Sequence, residues 1–518
     1  MDNMKGTIMT KRIPIWLRRL LLLGMGLMIP CYLFTVGNVL LSPWPLYKRN
    51  QLALVILTPL CTAALLAAMR VIDRREDFLL RHEKKMLVIA ALFYFVVQLV
   101  MAAALRFDPR TDAEQCYTAA QLLADTGTFG NNERSFIYFT RYPHNLGFVY
   151  LLAGVFNLFG LIGWGDWFMQ AALVAGLFFT LGLLCSARVC RSISGVRAQA
   201  KLLLLFASCL PFLYCTSELY TDVFSVAFPM IVIYLLYRLR EAKTGRARAG
   251  FALLAALAAF IGAQIRFTVV IAAIAGVIWL LFERRWRQLA CCAAAMAVVF
   301  TAGGAAMDAY TYTHLPKESI EKNELPKLHY MVMGLPVQVD EGYGQYGDGG
   351  WLIFSTSFED PKERDEALLT EFIDRVYYLR YPNRLLHMVS RKNLSTFGVG
   401  SFALNEIIQS DRNVADNPVK QVIFSKGALF RPYWHLCTAL FMAQMVIACI
   451  ACVQQIRRKR TDAAPLFVAL VGVFIILTLW ETRARYFFFA EMILLSAAAL
   501  ADTDFLQIKK KKNESIHE

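Results

Sequence analysis

The sequence lacks the cysteine pattern of a metal-binding or disulfide-stabilised protein. It has 12 cysteines, but most lie inside apolar runs, and outside those runs no CxxC pair has the spacing of metal ligands. Cysteines in such a setting behave as small hydrophobic side chains. The sequence also lacks an internal repeat and the short alternating segments that are typical of a transmembrane β-barrel. These absences exclude a disulfide scaffold and a barrel.

Long apolar runs dominate what is present. Hydrophobic residues make up 57% of the 518 residues. Many of the runs reach the roughly 20 residues that a helix needs to cross a bilayer. The first run, within TKRIPIWLRRLLLLGMGLMIP, has a basic flank but no clear cleavage site, so we interpret it as an uncleaved first span. The sequence therefore predicts an all-α polytopic membrane protein.

The basic residues follow the pattern of a topology signal. A net charge of +15 would suggest nucleic acid in a soluble protein, but here Lys and Arg concentrate in short stretches between apolar runs. Cytoplasmic loops of membrane proteins carry such an excess. We therefore place these clusters and both termini in the cytoplasm of a bacterial cell, and we expect no nucleic-acid partner. The clusters lie at 11–19, 70–85, 188–201, 238–249, 283–287, 454–460 and 509–512.

The apolar runs between these clusters give twelve predicted spans. One further run, 142–165, is apolar enough to cross, but counting it would put the later basic clusters outside. We predict a re-entrant or interfacial helix there, packed on protein or lining a cavity; the alternative is a thirteenth span with an odd topology. The predicted spans are 16–38, 51–70, 86–105, 166–187, 202–218, 222–238, 250–265, 267–282, 288–306, 432–453, 463–480 and 486–501.

Two large loops are predicted to face outward. The first is 106–165, and the second, 307–431, is too long for a plain connector. Within it, KERDEALLTEFIDRVYYLRYP has apolar residues at helical spacing, so we expect a small, mostly helical extracytoplasmic subdomain. The predicted organisation is an N-terminal transmembrane module (1–306), the loop subdomain (307–431), and C-terminal spans with a basic tail (432–518).

Ionisable residues from distant parts of the chain fall at the predicted outer ends of the spans. The stretch LWETRARYFF at 479–488 puts three charges between two apolar runs, where a charge is costly unless it faces water or a cavity. The turns SELYTDV and QIRFT are very short and also keep acids or an arginine. The residues on this face are Asp112, Glu114, Glu218, Asp222, Arg266, Glu481, Arg483 and Arg485.

This mixture of acids and arginines suits a particular kind of ligand. Carboxylates bind divalent cations or act as general bases. The planar guanidinium group of arginine donates paired hydrogen bonds to phosphate. Together they suit a lipid phosphate whose head group reacts at the membrane edge. For any single residue the ordinary alternative is a charge that reaches out of the bilayer to water.

The order of these motifs resembles the integral-membrane glycosyltransferases of the GT-C superfamily, such as the protein O-mannosyltransferases and the lipid A aminoarabinose transferase. An acidic first loop, TDAEQCYTAAQLLADTGTF, precedes the interfacial segment YPHNLGFVYLLAGVFNLFG and a span that ends in a basic loop. ELYTD at 218–222 resembles their second acidic turn, and ETRARYFF resembles their C-terminal E-x-R-x-R-Y element. The chain departs from the aminoarabinose transferase in one respect, because Ala113 separates Asp112 from Glu114.

The resemblance implies a GT-C-like fold with outer interfacial helices. It also implies an inverting glycosyltransferase that uses a polyprenyl-phosphate sugar donor. The acceptor would be an envelope glycopolymer, lipid or protein on the outer face of the bilayer. Asp112 or Glu114, with Asp112 favoured, would be the catalytic carboxylate. Arg266, Arg483, Arg485 and His144 would bind the lipid phosphate, and Glu481, Glu218 and Asp222 would support them. A divalent cation, Mg²⁺ or Mn²⁺, is a further expectation, with Asp112 and Asp222 as its candidate ligands.

Other functional classes stay open at this stage. Twelve spans with both termini inside also fit a secondary transporter, whose intramembrane charges would mark a substrate path. The missing repeat and the long outer loop argue against it. A polysaccharide polymerase or ligase would also use lipid-linked sugars, but would favour a site led by arginine and histidine. A non-catalytic assembly protein is the third alternative.

Overall fold

The structure, a computed structural model, describes residues 14–42, 50–107, 109–129, 133–337, 342–404 and 417–503. Within these ranges all regular secondary structure is helical, which confirms the all-α prediction. The lysine tail at 509–512 lies outside the described residues. The helices are α1 Ile15–Gly26, α2 Met28–Leu41, α3 Gln51–Asp73, α4 Glu76–Leu105, α5 Asp112–Thr126, α6 Glu133–Arg141, α7 Leu146–Gly160, α8 Trp167–Ser208, α9 Thr221–Ser225, α10 Phe228–Glu241 and α11 Gly245–Ile265. They continue as α12 Val270–Phe282, α13 Trp286–Tyr312, α14 Lys317–Asn323, α15 Lys327–Gly334, α16 Trp351–Thr356, α17 Pro361–Leu379, α18 Pro382–Phe397, α19 Pro418–Ile423, α20 Phe430–Arg457, α21 Ala464–Leu479 and α22 Glu491–Ala498.

Each of the twelve predicted spans coincides with helical structure, but some are shorter than expected. Among the described residues, eight helical segments are long and apolar enough to cross a membrane, and two shorter apolar ones, Phe267–Phe282 and Ala464–Leu479, coincide with predicted spans. The predicted last span, 486–501, is a 3₁₀ segment followed by the eight-residue α22. The predicted spans 166–187 and 202–218 correspond to the two halves of α8, and the second continues beyond Ser208 as 3₁₀ turns. The deviations arise because 3₁₀ turns and kinks shorten helices whose apolar composition continues.

Helix α8 is a hairpin of two antiparallel halves. Its backbone leaves the helical region at Ser194 and Gly195, where Gly195 has φ +81°, a conformation that favours glycine. In a continuous helix Phe179 and Phe206 would lie about 40 Å apart. Their ring centroids are only 6.1 Å apart, so the chain folds back on itself. The basic stretch 188–201 therefore forms a turn, as the charge pattern predicts.

The chain between α4 and α8 leaves and returns at one end of the bundle. Arg106, which follows α4, makes a bidentate ion pair of 2.9 and 3.0 Å with Asp166, which precedes α8. At the other end of the same helix pair, Arg191 contacts Glu83 at 3.0 Å. Helix α7 lies within the excursion and packs on α5 and α8. This arrangement agrees with the prediction that segment 142–165 does not cross the membrane.

The second large loop contains the six short helices α14–α19. The buried Arg375 of α17 donates to the Val332 and Leu335 carbonyls at the end of α15, and its guanidinium lies 4.3 Å from the Trp351 ring. Helix α18 leaves this group and packs against α2, with Phe397 beside Tyr32 at a ring distance of 6.3 Å. The loop is thus helical, as predicted, and part of it packs into the bundle.

Candidate functional site

Asp222 forms the centre of an acid–arginine cluster at one end of the bundle. It lies in the first turn of α9 and is fully buried. Arg266, directly after α11, places Nη1 2.6 Å from Asp222 Oδ1. Arg485 of the 3₁₀ segment places Nε 3.2 Å from Oδ2. Both contacts are ion pairs rather than aligned hydrogen bonds. One carboxylate thus faces two guanidinium groups, which leaves a local excess of positive charge.

Aromatic rings and a second acid hold the two guanidinium groups in place. The Arg266 guanidinium carbon lies 4.5 Å from the centre of the Tyr486 ring. Arg485 lies 5.5 Å from Tyr220 and 5.4 Å from Tyr486. The Tyr486 hydroxyl donates a hydrogen bond to the buried Glu481. Cation–π contacts with desolvated arginines contribute up to about 2 kcal/mol each, so the arginines are preorganised before any ligand arrives.

Asp112 and Glu114 do not face the same pocket. They occupy the first turn of α5, where residues two apart point about 200° away from each other. Asp112 is partly exposed and accepts a hydrogen bond from the Tyr138 hydroxyl. It lies close enough to Arg485 and Glu481 to act on their charges. Glu114 is exposed on another side of the helix. Of the two predicted carboxylates, the geometry brings Asp112 to the cluster.

His144 lies close enough to Asp112 and Arg266 for their charges to act on its ring. Desolvation by the surrounding protein lowers its pKa to about 4, partly offset by Asp112. The ring is edge-on to Tyr142 at 6.2 Å and to Tyr330 at 6.1 Å. It is therefore neutral at physiological pH, so its hydrogen bonds to a phosphate would not be reinforced by charge.

Two predicted site residues have other partners. Arg483 contacts the second large loop, with Nη1 3.3 Å from the Gln345 side-chain oxygen and Nη2 3.2 Å from the Tyr346 carbonyl. Glu218 is buried beside Tyr214 and Cys215. Arg483 thus ties the loop to the cluster, and Glu218 belongs to the layer beneath it. The roles of Arg483 as a phosphate ligand and of Glu218 as a supporting residue stay predictions.

Sequence reasoning missed Lys392, because it lies in α18, far from the short turns. It is buried, and its ammonium group donates to the carbonyls of Gly334 and of Trp480, the latter at 2.6 Å. Burial lowers the pKa of Lys392, and the nearby Glu481 partly offsets the effect. A buried lysine contacting two helix ends joins α15 and α21 directly beside Glu481. The sequence pattern that could have identified Lys392 is a lysine on the apolar side of an amphipathic helix.

Two glycines allow the site elements to approach closely. A Cβ at Gly147 would lie 2.5 Å from the Gln264 carbonyl oxygen, next to Arg266. A Cβ at Gly334 would lie 2.5 Å from the Leu479 carbonyl oxygen, next to Glu481. Any larger residue would push the first loop from α11, or the second loop from α21.

The donor set does not suit a divalent cation on Asp222. Both of its oxygens face arginines, so a cation there would be repelled by two positive charges. The described part of the chain contains no group of three His, Cys, Asp or Glu side chains that could hold a metal ion. Of the two predicted ligands, Asp112 is left as a single carboxylate. The requirement for Mg²⁺ or Mn²⁺ stays a prediction.

An apolar cleft lies beside the cluster. It has a volume of about 350 Å³ and is lined only by apolar side chains of α8, α10 and α11. Ile261 is just over one helical turn from Arg266, and Leu254 lies about 10 Å further along α11. The cleft therefore extends from the level of the arginines toward the middle of the bundle. Its lining residues are Phe178, Leu181, Phe228, Ile231, Leu235, Leu254, Leu257, Ala258 and Ile261.

Comparison with known proteins gives one family and several similar folds. Residues 48–504 match a family model described as "Conserved hypothetical integral membrane protein". No curated protein matches the chain. The structure of ArnT from Cupriavidus metallidurans bound to undecaprenyl phosphate is similar at 14% identity and a TM-score of 0.36, over 79% of this chain and 76% of that one. Archaeal oligosaccharyltransferase AglB from Archaeoglobus fulgidus, in complex with an inhibitory peptide and a dolichol-phosphate, is similar at 13% identity and 0.39, over 83% of this chain and 51% of that one.

Both similar structures are GT-C glycosyltransferases, the superfamily that the sequence motifs resemble. At these TM-scores the likeness carries no functional argument. A function therefore has to follow from the site.

Proposed function

The chain belongs to this family of conserved integral membrane proteins, and we propose that it is a glycosyltransferase that moves a sugar from a polyprenyl-phosphate donor to an envelope acceptor. The observation that carries the proposal is the geometry around Asp222. Two arginines share one buried carboxylate, beside the partly exposed Asp112 and an apolar cleft. An anionic head group with a long apolar tail satisfies the charge and the cleft at once.

The donor phosphate is assigned to Arg266 and Arg485. Asp222 neutralises one of their two charges, which leaves about one positive charge for a phosphate. Guanidinium groups form charge-assisted hydrogen bonds to phosphate oxygens. When the bond between the sugar and the phosphate breaks, negative charge builds up on the leaving phosphate. Preorganised arginines stabilise that charge in the transition state.

Asp112 is assigned as the general base. The acceptor hydroxyl attacks the anomeric carbon, the bond to the donor phosphate breaks, and the hydroxyl proton passes to Asp112. One displacement of this kind inverts the anomeric centre. Asp112 accepts a hydrogen bond from Tyr138, which supports and orients it for this step. The His144 ring, neutral at physiological pH, would line the wall on which the acceptor or phosphate rests.

The apolar cleft is assigned to the first isoprene units of the donor. Its walls offer no polar atom to solvent, as a hydrocarbon tail requires. The protein is placed as a multi-pass protein of the bacterial cell membrane, with both termini cytoplasmic and this site facing outward. That orientation rests on the basic clusters. The sugar and the acceptor are left as classes: a hexose or pentose, and a glycan, lipid or protein of the envelope.

The test is a glycan comparison of cell envelopes by mass spectrometry. A deletion strain is complemented with the wild type, with Asp112→Asn, or with Glu114→Gln at matched protein levels. We expect one glycan modification to disappear in the deletion and Asp112→Asn strains and to persist with Glu114→Gln. The Glu114 variant is the matched control, because it removes an acid from the same helix turn outside the cluster. Identical glycans in all strains would contradict the proposal and favour transport.

A further inference from the structure

Helix α17 has a solvent-facing surface divided into two stripes. One stripe is polar, with Glu366, Thr370 and Asp374 exposed along it. The neighbouring stripe is apolar and continues across the bend into α18. The members of this apolar face, each at least 45% exposed, are Leu369, Ile373, Val376, Leu385 and Leu386. Several large apolar side chains exposed next to one another indicate a binding surface.

The position of α18 along α2 gives the level of this apolar face relative to the membrane. Ser390 of α18 and Asn38 of α2 are joined by hydrogen bonds of 2.7 and 2.6 Å. Seven residues further on, the Phe397 ring contacts Tyr32, six residues earlier in α2. Seven and six residues of helix are about 10 and 9 Å, so the two helices run side by side in opposite directions. The start of α18 therefore points out of the bundle.

This register puts the bend between α17 and α18 at the membrane boundary. Asn38 lies one turn before the end of the candidate span Ile15–Leu41. Leu385 and Leu386 lie about 6–8 Å beyond the level of Ser390, and Leu41 about 4–5 Å beyond Asn38. Leu41 is itself 76% exposed, so the lipid-facing surface of α2 continues into the apolar face. The polar headgroup layer of a bilayer is about 5–8 Å thick, which matches this interval.

The charges at the bend also match a lipid surface. The Arg380 guanidinium lies 3.4 Å from the centre of the Tyr377 ring and 4.4 Å from that of Tyr381. Arg384 lies 4.1 Å from the Tyr378 ring centre and also packs on Tyr381. Tyrosine with arginine is the composition of a membrane-interface belt, in which rings sit among the headgroups and cations meet phosphates.

We propose that the apolar face of α17–α18 is seated in the headgroup layer of the bilayer. The occupant of the face is phospholipid: acyl carbons contact Leu385 and Leu386, and lipid phosphates contact Arg380 and Arg384. The second large loop is then held at two places, by α18 against α2 and by this lipid contact. The proposal is independent of the glycosyltransferase assignment, because it concerns the membrane and not the substrate.

The experiment uses brominated lipids, which quench tryptophan fluorescence on contact. Full-length Val376→Trp and Asp374→Trp are placed in nanodiscs of ordinary or dibrominated phosphatidylcholine with phosphatidylglycerol. The nine native tryptophans are subtracted with the wild-type protein. We expect bromine to quench at least half of the added emission from Val376→Trp and little of that from Asp374→Trp. The two positions are two residues apart on one helix, so they lie at nearly the same level and point about 200° away from each other.

Equal quenching of both variants, or none in either, would overturn the proposal. A second copy of the chain or a protein partner covering the face would give that unquenched result. The unmodified protein provides a second measurement that does not depend on folding of a variant. A phospholipid with a photoreactive group near its headgroup should label residues 373–386 and leave 362–366 unlabelled. Labelling confined to 362–366 would also contradict the proposal.

Discussion

The helix pair α10–α11 has an acid–arginine cluster at each end, and the two clusters differ in their ratio of cations to acids. At the site end, Asp222 faces Arg266 and Arg485. At the other end, about 27 Å of helix away, Arg240 makes a bidentate contact of 2.8 and 3.2 Å with Glu283. It also contacts Asp462 at 2.7 Å. One end thus has two cations on one acid. At the other end two acids share Arg240, and Arg285 lies 3.9 Å from Glu283, so the charges there are balanced.

The two clusters also differ in how completely their bonds are used. Glu283 accepts from the Trp279 ring nitrogen at 3.1 Å and from the Thr461 hydroxyl at 3.2 Å, in addition to Arg240. The Asp222 oxygens have ion pairs and no aligned hydrogen bond. The Glu283 cluster, with its hydrogen bonds satisfied, holds three loops together. A network with spare positive charge and loose geometry is suited to an additional anion. The difference separates a structural ion cluster from a ligand site.

The largest expected effect comes from Arg485→Ala. Removing one preorganised donor from a transition-state charge costs about 10²–10³-fold in rate. We expect glycosyl transfer to fall by that amount, and affinity for undecaprenyl phosphate to fall about tenfold or more. Thermal unfolding in detergent should change little, because Arg266 still pairs with Asp222. Unchanged affinity, measured by lipid titration, would remove Arg485 from the phosphate site.

Arg240→Met should show the reverse pattern. It leaves Glu283 buried without its main cation, which in other proteins costs about 3–5 kcal/mol of stability. We expect a lowered free energy of unfolding and less protein in the membrane. Affinity for undecaprenyl phosphate, measured per folded molecule, should equal that of the wild type. A loss of affinity in the folded fraction would mean that the two ends are coupled.

Asp222→Asn sharpens the comparison by changing the charge ratio at the site end alone. The variant releases two guanidinium groups from their shared acid, so more positive charge is available to a phosphate. We expect affinity for undecaprenyl phosphate to be retained or to rise up to about tenfold, while transfer falls because the arginines lose their orientation. Asp462→Asn, at the other end, is the control and should leave affinity unchanged. Weaker binding by Asp222→Asn would show that the acid itself holds the donor.

The smallest expected effect concerns pH. The pKa of His144 is lowered to about 4, below its ordinary value of 6.5. In this pH range the unfolded chain therefore binds a proton at His144 and the folded chain does not. The free energy of unfolding falls as the pH drops from 7 through 6.5 toward 4. His144→Gln should flatten this decrease slightly, whereas no histidine contributes at the Arg240 cluster. Unfolding is measured for the wild type and for His144→Gln at pH 7.5 and pH 5. An equal loss of unfolding free energy in the two proteins would show that His144 does not titrate as expected.

Much of the fold follows from composition, and parts of the site follow from short turns. Arg266 and Asp222 were identifiable because apolar runs on both sides leave a charge few reasons to be there. Their contact follows once both turns are at the same end of the bundle. The choice between Asp112 and Glu114 needed the helix start at Asp112, since a one-residue shift of that start would alter the orientation of both side chains.

Other features depended on tertiary contacts that no local pattern records. Lys392 lies in an amphipathic helix whose apolar side predicts packing, but not which carbonyls lie beneath it. The length of the last spans was overestimated because hydropathy does not distinguish a 3₁₀ segment such as Ala484–Ala490 from an α-helix. The partners of Arg483 belong to the second large loop, whose position is set by packing on α2 and α21.

The ion pair between Arg106 and Asp166 bears on how far the sequence of the first loop can change in evolution. Because the pair brings the two ends of the segment together, we expect that the 59 residues between them can be exchanged if the replacement keeps the packing of α7 on α8 and α11. Insertions or replacements in α5–α7 would then change the groups beside Asp112 while the arginines stay fixed on the bundle. Chimeras joined at these two residues offer a practical route to new acceptors on a constant donor site.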